Sequence, residues 1–142
     1  MFDVRWLVGY MVILVALSVF DIRKKEIPMW GICLLGMVSL GYLLTGSGII
    51  FYDAIMGCVP GILLIIIALL TKEKVGYGDG LVLLFIGLAL GFELSMYMLM
   101  LALFLNCVMC GALFALHKVG KQTPIPFVPF LTIGLGIVGI CF

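Results

Sequence analysis

Two acidic residues, Asp21 and Asp79, are the side chains of this sequence best suited to catalysis. Each lies at the edge of a long apolar stretch, and a charge at the centre of a membrane helix costs about 2.5 to 3.5 kcal/mol. Two close carboxyl groups can share one proton, so that the ionised group activates a water molecule while the protonated group polarises a peptide carbonyl. Such a pair hydrolyses a peptide bond without a metal ion or a cofactor, and we expect neither here.

The composition indicates a membrane protein. Of the 142 residues, 65% are hydrophobic and 11% are charged, and the mean hydropathy is +1.40. A soluble domain contains far more charge, and about 20 apolar residues cross a bilayer once. The formal net charge is +1 and the sequence has no basic run, so nucleic acid is excluded as a partner. The five cysteines all lie in apolar stretches, which argues against a disulfide framework, and we interpret the pair Cys107 and Cys110 as helix-packing residues.

The apolar segments predict an all-α fold of about six transmembrane helices, forming a single transmembrane domain over residues 1–142. The first three helices are predicted for residues 6–22, 28–45 and 54–70. Residues 80–116 are too long for one crossing, so we expect a turn between Gly91 and Ser95 and a fourth helix that begins before Asp79. The sixth helix is predicted for residues 125–142.

Basic residues predict the orientation of these helices. Cytoplasmic loops collect Lys and Arg, and the loops after the first, third and fifth helices contain seven of the eight basic residues: Arg23, Lys24, Lys25, Lys72, Lys74, Lys118 and Lys121. We therefore expect both termini outside, and both aspartates at the cytoplasmic face of a multi-pass plasma-membrane protein. Arg23, Lys24 and Lys25 are expected to contact anionic lipid headgroups.

Each aspartate also has a simpler interpretation. Asp21 can be a charge that marks the end of a helix, and Asp79 can be a helix N-cap, a role that aspartate fills well. Because a helix N-terminus stabilises an anion, the helix ends predict that Asp79 ionises more readily than Asp21. Asp53 and Glu93, predicted on the opposite side of the membrane, are interpreted as plain loop charges.

Small residues and three short motifs carry the remaining signals. Gly57 with Gly61, and Gly87 with Gly91, are each four residues apart, which predicts close helix packing. The motifs are D-I-R-K-K-E-I-P from residue 21, G-Y-G-D from residue 76 and P-I-P-F-V-P-F from residue 124. In order and spacing they resemble three signatures of the type IV prepilin peptidase family, the membrane aspartic proteases with a G-x-G-D motif.

That resemblance implies that Asp21 and Asp79 are the catalytic residues. It also implies a pilin-like precursor as substrate, cut after a short basic leader at the cytoplasmic membrane face. Glycine lets a backbone approach a substrate strand closely, and an extended substrate can pair with exposed backbone as an added strand. We expect substrate contacts from residues in or next to the second and third motifs: Gly76, Gly78, Gly80, Pro126, Phe127 and Pro129.

The same resemblance separates this chain from larger family members. Those carry a cysteine-rich cytoplasmic region and methylate the new N-terminus, whereas this sequence has no paired C-x-x-C motifs, which predicts a compact peptidase without methyltransferase activity. Two other functions stay open: a small transporter that moves protons or cations through Asp21 and Asp79, and a non-catalytic scaffold for pilus assembly. The oligomeric state is not predicted.

Overall fold

The computed structural model describes residues 3–24, 27–45, 48, 50–71, 77–117 and 125–141. Over these ranges the protein is helical and contains no strand. Seven α-helical segments follow one another in the chain: α1 Val4–Lys24, α2 Met29–Leu44, α3 Phe51–Gly57, α4 Val59–Leu70, α5 Tyr77–Leu90, α6 Phe92–Ala115 and α7 Val128–Cys141.

The segments α3 and α4 are two parts of one helix, Phe51–Leu70, which is interrupted at Cys58. Pro60 lies at the start of α4 and has no N–H, so it cannot extend the hydrogen-bond ladder of α3. Counted this way the described residues form six helices, which confirms the all-α prediction. Three of them, Val4–Lys24, Phe51–Leu70 and Phe92–Ala115, are long and apolar enough to cross a membrane. The number of crossings and the side on which the termini lie stay predictions.

The predicted break between the fourth and fifth helices is confirmed at Gly91. This residue separates α5 from α6 and has φ 84°, a conformation that a residue with a Cβ rarely adopts. An added Cβ would also meet the carboxylate of Asp53. The sharp turn therefore requires glycine for both its backbone angle and its close approach to α3.

Successive helices alternate in direction, so the bundle has two ends. The first, here called the Asp21 end, contains the last turn of α1 and the starts of α2, α5 and α7. The second, the Asp53 end, contains the start of α3 and the turn at Gly91. Asp21 and Asp79 lie at the same end, and Asp53 lies at the other.

Helix α5 occupies the centre of the bundle and packs against α2, α3, α4 and α6. Its contact with α3 is close because a Cβ on Gly57 would collide with the carbonyl oxygen of Gly87, and the reverse is also true. Gly61 is held equally close to the backbone of Leu84. The predicted glycine packing is confirmed, and it fixes the helix that carries Asp79.

The interior is apolar apart from a few polar side chains. Tyr10 donates a hydrogen bond to Ser39 at 3.0 Å, and Ser39 in turn donates to the carbonyl of Leu35 at 2.9 Å. Large apolar side chains such as Met37 and Ile140 remain exposed on the outside of the helices. A soluble protein rarely exposes so much apolar surface, and a lipid bilayer would cover it.

Candidate active site

Asp21 lies inside the bundle rather than at a solvated helix end. Helix α1 continues for three residues beyond it to Lys24, and the side chain is 7% exposed. Its carboxylate points towards the start of α7, where the N–H of Val128 donates to Oδ2 at 3.4 Å. The N–H of Phe127 adds a second, weaker interaction with the same carboxylate. Asp21 therefore has a specific partner from the far end of the chain, and does more than mark the end of α1.

Asp79 is the third described residue of α5 and is also 7% exposed. Since an N-cap precedes the first helical residue, and α5 already includes Tyr77, Asp79 is not the N-cap of this helix. The N-cap interpretation is wrong for this reason. Asp79 is a carboxyl group in the first turn of a helix, turned into the protein.

The two carboxyl groups interact electrostatically with each other. Two contacts help to bring them together. Phe20 and Trp30 pack edge to face with their ring centroids 5.7 Å apart, which fastens the end of α1 to the start of α2. Ile27, which precedes α2, contacts Gly78 next to Asp79, so that a Cβ on Gly78 would lie 2.8 Å from its Cδ1. Burial and mutual proximity are what a proton-sharing carboxyl pair requires.

The glycines predicted to contact substrate pack against the protein where they are described. Gly78 contacts Ile27, and Gly80 is buried against Ile65 of α4, whose Cγ1 would lie 2.6 Å from an added Cβ. Gly76 lies outside the described residues. Both described glycines bring α5 close to its neighbours. Their contact with substrate stays a prediction.

The third predicted motif leads directly into α7. Pro126 and Pro129 are partly buried, and Phe127 is 8% exposed. The carbonyl of Phe127 accepts the first hydrogen bond of α7, from Leu131 at 3.2 Å, so Phe127 is the N-cap residue and Val128 the first helical residue. This segment meets the candidate site through its backbone, because the N–H groups of Phe127 and Val128 face Asp21.

The described basic residues and cysteines around the candidate site remain to be placed. Arg23 and Lys24 are exposed near the Asp21 end, and the other basic residues used to predict orientation lie outside the described residues. Among the described residues no three His, Cys, Asp or Glu side chains are grouped so that they could hold a metal ion. Cys107 is exposed and Cys110 is partly buried, with its Sγ 3.9 Å from Asn106 Oδ1.

Asp53 has a role that the sequence analysis missed. It belongs to the first turn of α3 and accepts a hydrogen bond from the N–H of Phe92, the first residue of α6, at 3.3 Å. It is therefore a capping group for another helix and not a loop charge. Glu93 also lies in a helix, in the first turn of α6, where an anion is stabilised. In the sequence, the glycine that precedes Phe92 is the one feature that marks the start of α6.

Comparisons with known proteins identify one family. The profile of the type IV leader peptidase family matches residues 8–116. The chain is 28% identical over 144 aligned residues to the prepilin leader peptidase/N-methyltransferase of Stutzerimonas stutzeri, covering 93% of this chain and 49% of that protein. It is 31% identical to the proteins of the same name from Aeromonas hydrophila and Aeromonas salmonicida (strain A449), covering 85% of this chain and 44% of each.

The chain spans about half the length of the curated relatives it matches. No solved structure matches it. The family profile covers most of the chain and includes the region that contains both aspartates. The protein belongs to the type IV leader peptidase family.

Proposed function

We propose that this protein is a membrane aspartic endopeptidase that removes the short basic leader of type IV prepilin-like precursors, with Asp21 and Asp79 as its catalytic pair. The observation that supports the proposal is that two buried carboxyl groups, from α1 and α5, lie at the same end of the bundle and interact electrostatically. Burial of two interacting carboxyl groups is costly for a purely structural site, because like charges repel and both groups lose hydration.

The reaction needs one ionised and one protonated carboxyl group. The ionised group takes a proton from water as the water oxygen bonds to the peptide carbonyl carbon, and the protonated group donates its proton to the carbonyl oxygen. As the C–N bond of the tetrahedral intermediate breaks, the group that took the water proton gives it to the departing amine, and the other carboxylate takes a proton back from a hydroxyl of the intermediate. A carboxylic acid on the leader and a new N-terminal amine result, and the pair again shares one proton.

The surroundings of the pair favour Asp21 as the ionised member. Its carboxylate faces the N-terminus of α7 and accepts hydrogen bonds from backbone N–H groups, and such donors stabilise the charged form. No described N–H group donates to Asp79 in this way, and its carboxyl group interacts electrostatically with that of Asp21. The sequence predicts that Asp79 ionises more readily, because it considers only the helix to which each aspartate belongs. When the N-terminus of α7 is included, Asp21 becomes the better candidate for the ionised group, so we propose that Asp21 activates the water.

The proposed location is the cytoplasmic face of the plasma membrane. Exposed Arg23 and Lys24 lie at the Asp21 end, as the concentration of basic residues in cytoplasmic loops requires. A leader peptide held at this face would reach the carboxyl pair without crossing the bilayer. The absence of methyltransferase activity stays a prediction, because the curated relatives are named for both activities and the chain matches half of their length.

Transport is less well supported than hydrolysis. Charged residues of a transport pathway lie near the middle of the bilayer. Asp21 lies within one turn of the end of α1, and Asp79 lies within the first described turn of α5. Both are therefore at one end of the bundle, where a water-soluble leader can reach them.

Cleavage of a purified prepilin tests the proposal. Wild-type protein in detergent is expected to release the leader, and Asp21→Asn and Asp79→Asn are each expected to lower the rate by roughly 10²- to 10⁴-fold, the usual contribution of a general acid or base. Asp53→Asn is the matched control, because Asp53 also caps a helix but has no described carboxyl partner. Full cleavage by either dyad variant, or no cleavage by a folded wild type, would reject the proposal, and the latter result would favour the scaffold.

A further inference from the structure

The start of α7 is built around the side chain of Asp21. Phe127 caps the helix and Val128 is its first residue, fully buried, so the N–H of Val128 has no access to water. The first N–H groups of a helix have no partner within the helix, and leaving a buried one unpaired is costly. The carboxylate of Asp21 supplies the partner at 3.4 Å.

A second contact holds α7 against α1. The hydroxyl of Thr132, one turn after Val128, lies 2.9 Å from the carbonyl of Val128 and 3.5 Å from the carbonyl of Leu14 in α1. Thr132 is 7% exposed, so this contact is shielded from water. The first turn of α7 is therefore fastened to α1 through both its backbone and a side chain, which limits its movement relative to Asp21.

The prolines of the motif restrict which groups can act as donors. Neither Pro126 nor Pro129 has an N–H, and each has φ held near −65° by its ring. Between them the backbone offers two donors, Phe127 and Val128, and both face Asp21. The order Pro-Phe-Val-Pro thus combines a stiff backbone with a pair of consecutive donors aimed at one carboxylate.

We propose that the backbone N–H groups of Phe127 and Val128 are positioning groups that hold the ionised carboxylate of Asp21 in its catalytic orientation, and that this motif acts through Asp21 rather than by binding the substrate. The inference rests on the proposed function and adds the part of the site that orients the base. A carboxylate that rotates away from its water by a fraction of an ångström loses rate without losing substrate affinity.

Removal of one N–H separates the two roles of the motif. Val128→Pro deletes the donor but keeps an apolar residue at the first helical position, where proline is well tolerated. Val128→Ala is its partner variant, because it shortens the side chain and retains the N–H. We expect kcat of Val128→Pro to fall at least about 10-fold below that of Val128→Ala, with KM changed less than about twofold, as for a misplaced catalytic group.

The other end of the bundle provides a matched control. Phe92 is likewise the first residue of a helix, and its N–H also donates to an aspartate from a different helix. Phe92→Pro, compared with Phe92→Ala, removes a donor in the same position of α6 and is expected to leave kcat and KM within about twofold, because proline is tolerated there too. If proline at a helix start had a general effect, kcat would fall equally in Val128→Pro and in Phe92→Pro, each relative to its alanine variant. That result would contradict the inference.

The outcomes distinguish this inference from the proposed function. If wild type cleaves, Asp21→Asn does not, and Val128→Pro matches Val128→Ala, the inference fails while the proposed function stands. A rise in KM with kcat unchanged would assign the segment to substrate binding and also overturn it. If Val128→Pro does not fold, replacing the N–H of Val128 by an ester oxygen keeps the side chain and must give the same loss of kcat. A folded wild type without cleavage would overturn both.

Discussion

The two ends of the bundle contain the same capping arrangement, and only one of them is a candidate active site. At the Asp21 end the N–H of Val128 donates to Asp21 at 3.4 Å, and at the Asp53 end the N–H of Phe92 donates to Asp53 at 3.3 Å. In both cases the acceptor comes from one helix and the donor is the first residue of another. A cap of this kind therefore does not by itself indicate catalysis.

The ends differ in burial and in the presence of a second acid. Asp53 is exposed, whereas Asp21 is 7% exposed and interacts with the carboxyl group of Asp79. Water at the Asp53 end hydrates the charge, so that carboxylate gains nothing from sharing a proton. At the Asp21 end hydration is restricted, and a second carboxyl group makes proton sharing favourable. The comparison teaches that the partner acid, and not the cap, distinguishes the site.

Lengthening each capping aspartate by one methylene is expected to produce the largest difference between the ends. Asp21→Glu moves the carboxylate by more than 1 Å in a buried site and is expected to lower kcat about 10²-fold, the scale of such a misplacement. Asp53→Glu keeps an exposed acceptor near Phe92 and is expected to leave the rate within about twofold, since hydrated side chains adjust freely. Prepilin cleavage rates at saturating substrate measure both. Equal losses of kcat in Asp21→Glu and Asp53→Glu would contradict the proposed difference between a catalytic end and a structural end.

A second prediction concerns the glycine contact through which the Asp53 end supports α5. Gly57→Ala introduces a methyl group that collides with the carbonyl oxygen of Gly87, so α3 and α5 must separate. We expect a loss of about 1 to 3 kcal/mol in the free energy of unfolding, as for overpacked cores. Gly41→Ala is the matched control because an added Cβ there meets nothing within 4 Å. It should be neutral or stabilising by up to about 1 kcal/mol.

Denaturant titration in detergent micelles measures both glycine variants. If Gly57→Ala is as stable as Gly41→Ala, the close packing of α3 on α5 is not what holds the bundle together. If Gly57→Ala loses stability and also lowers the cleavage rate at temperatures where it remains folded, the position of α5 controls Asp79 from the opposite end of the bundle.

The smallest predicted effect is the loss of the Asp53 cap. Asp53→Ala leaves the N–H of Phe92 to water and is expected to lower the free energy of unfolding by about 0.5 to 2 kcal/mol, the usual value of a helix cap. The cleavage rate of the folded variant should not change. A fall in rate with no fall in stability would mean that Asp53 contributes to the reaction, and the contrast between the two ends would no longer hold.

Much of the fold was predictable because hydropathy and the residues that end helices are local features of the sequence. Apolar runs of bilayer length predicted the helices, and the excess length of residues 80–116 predicted the turn that the structure has at Gly91. Close packing at Gly57 and Gly87 also follows a local rule, since small residues four apart on a helix let a neighbouring backbone approach closely. None of these inferences requires knowledge of which helices are neighbours.

The contacts of the site were less predictable because they join distant parts of the chain. Asp21 and Val128 are 107 residues apart, and Asp53 and Phe92 are 39 residues apart. Nothing in the residues around Asp53 indicates that it caps α6, which is why it was interpreted as a loop charge. The proposed ionisation of Asp21 was likewise not predictable from the residues around it, because it depends on the N-terminus of α7 and not on the end of α1.

The central claim is that Asp21 and Asp79 act as one unit, and single-turnover cleavage by Asp21→Asn, Asp79→Asn and the double variant tests it most directly. When two groups perform one function, removal of the second costs little after loss of the first. We therefore expect the residual rate of the double variant to equal that of either single variant within about threefold. A double variant slower by the product of the two single losses would contradict the claim, because the two carboxyl groups would then act independently.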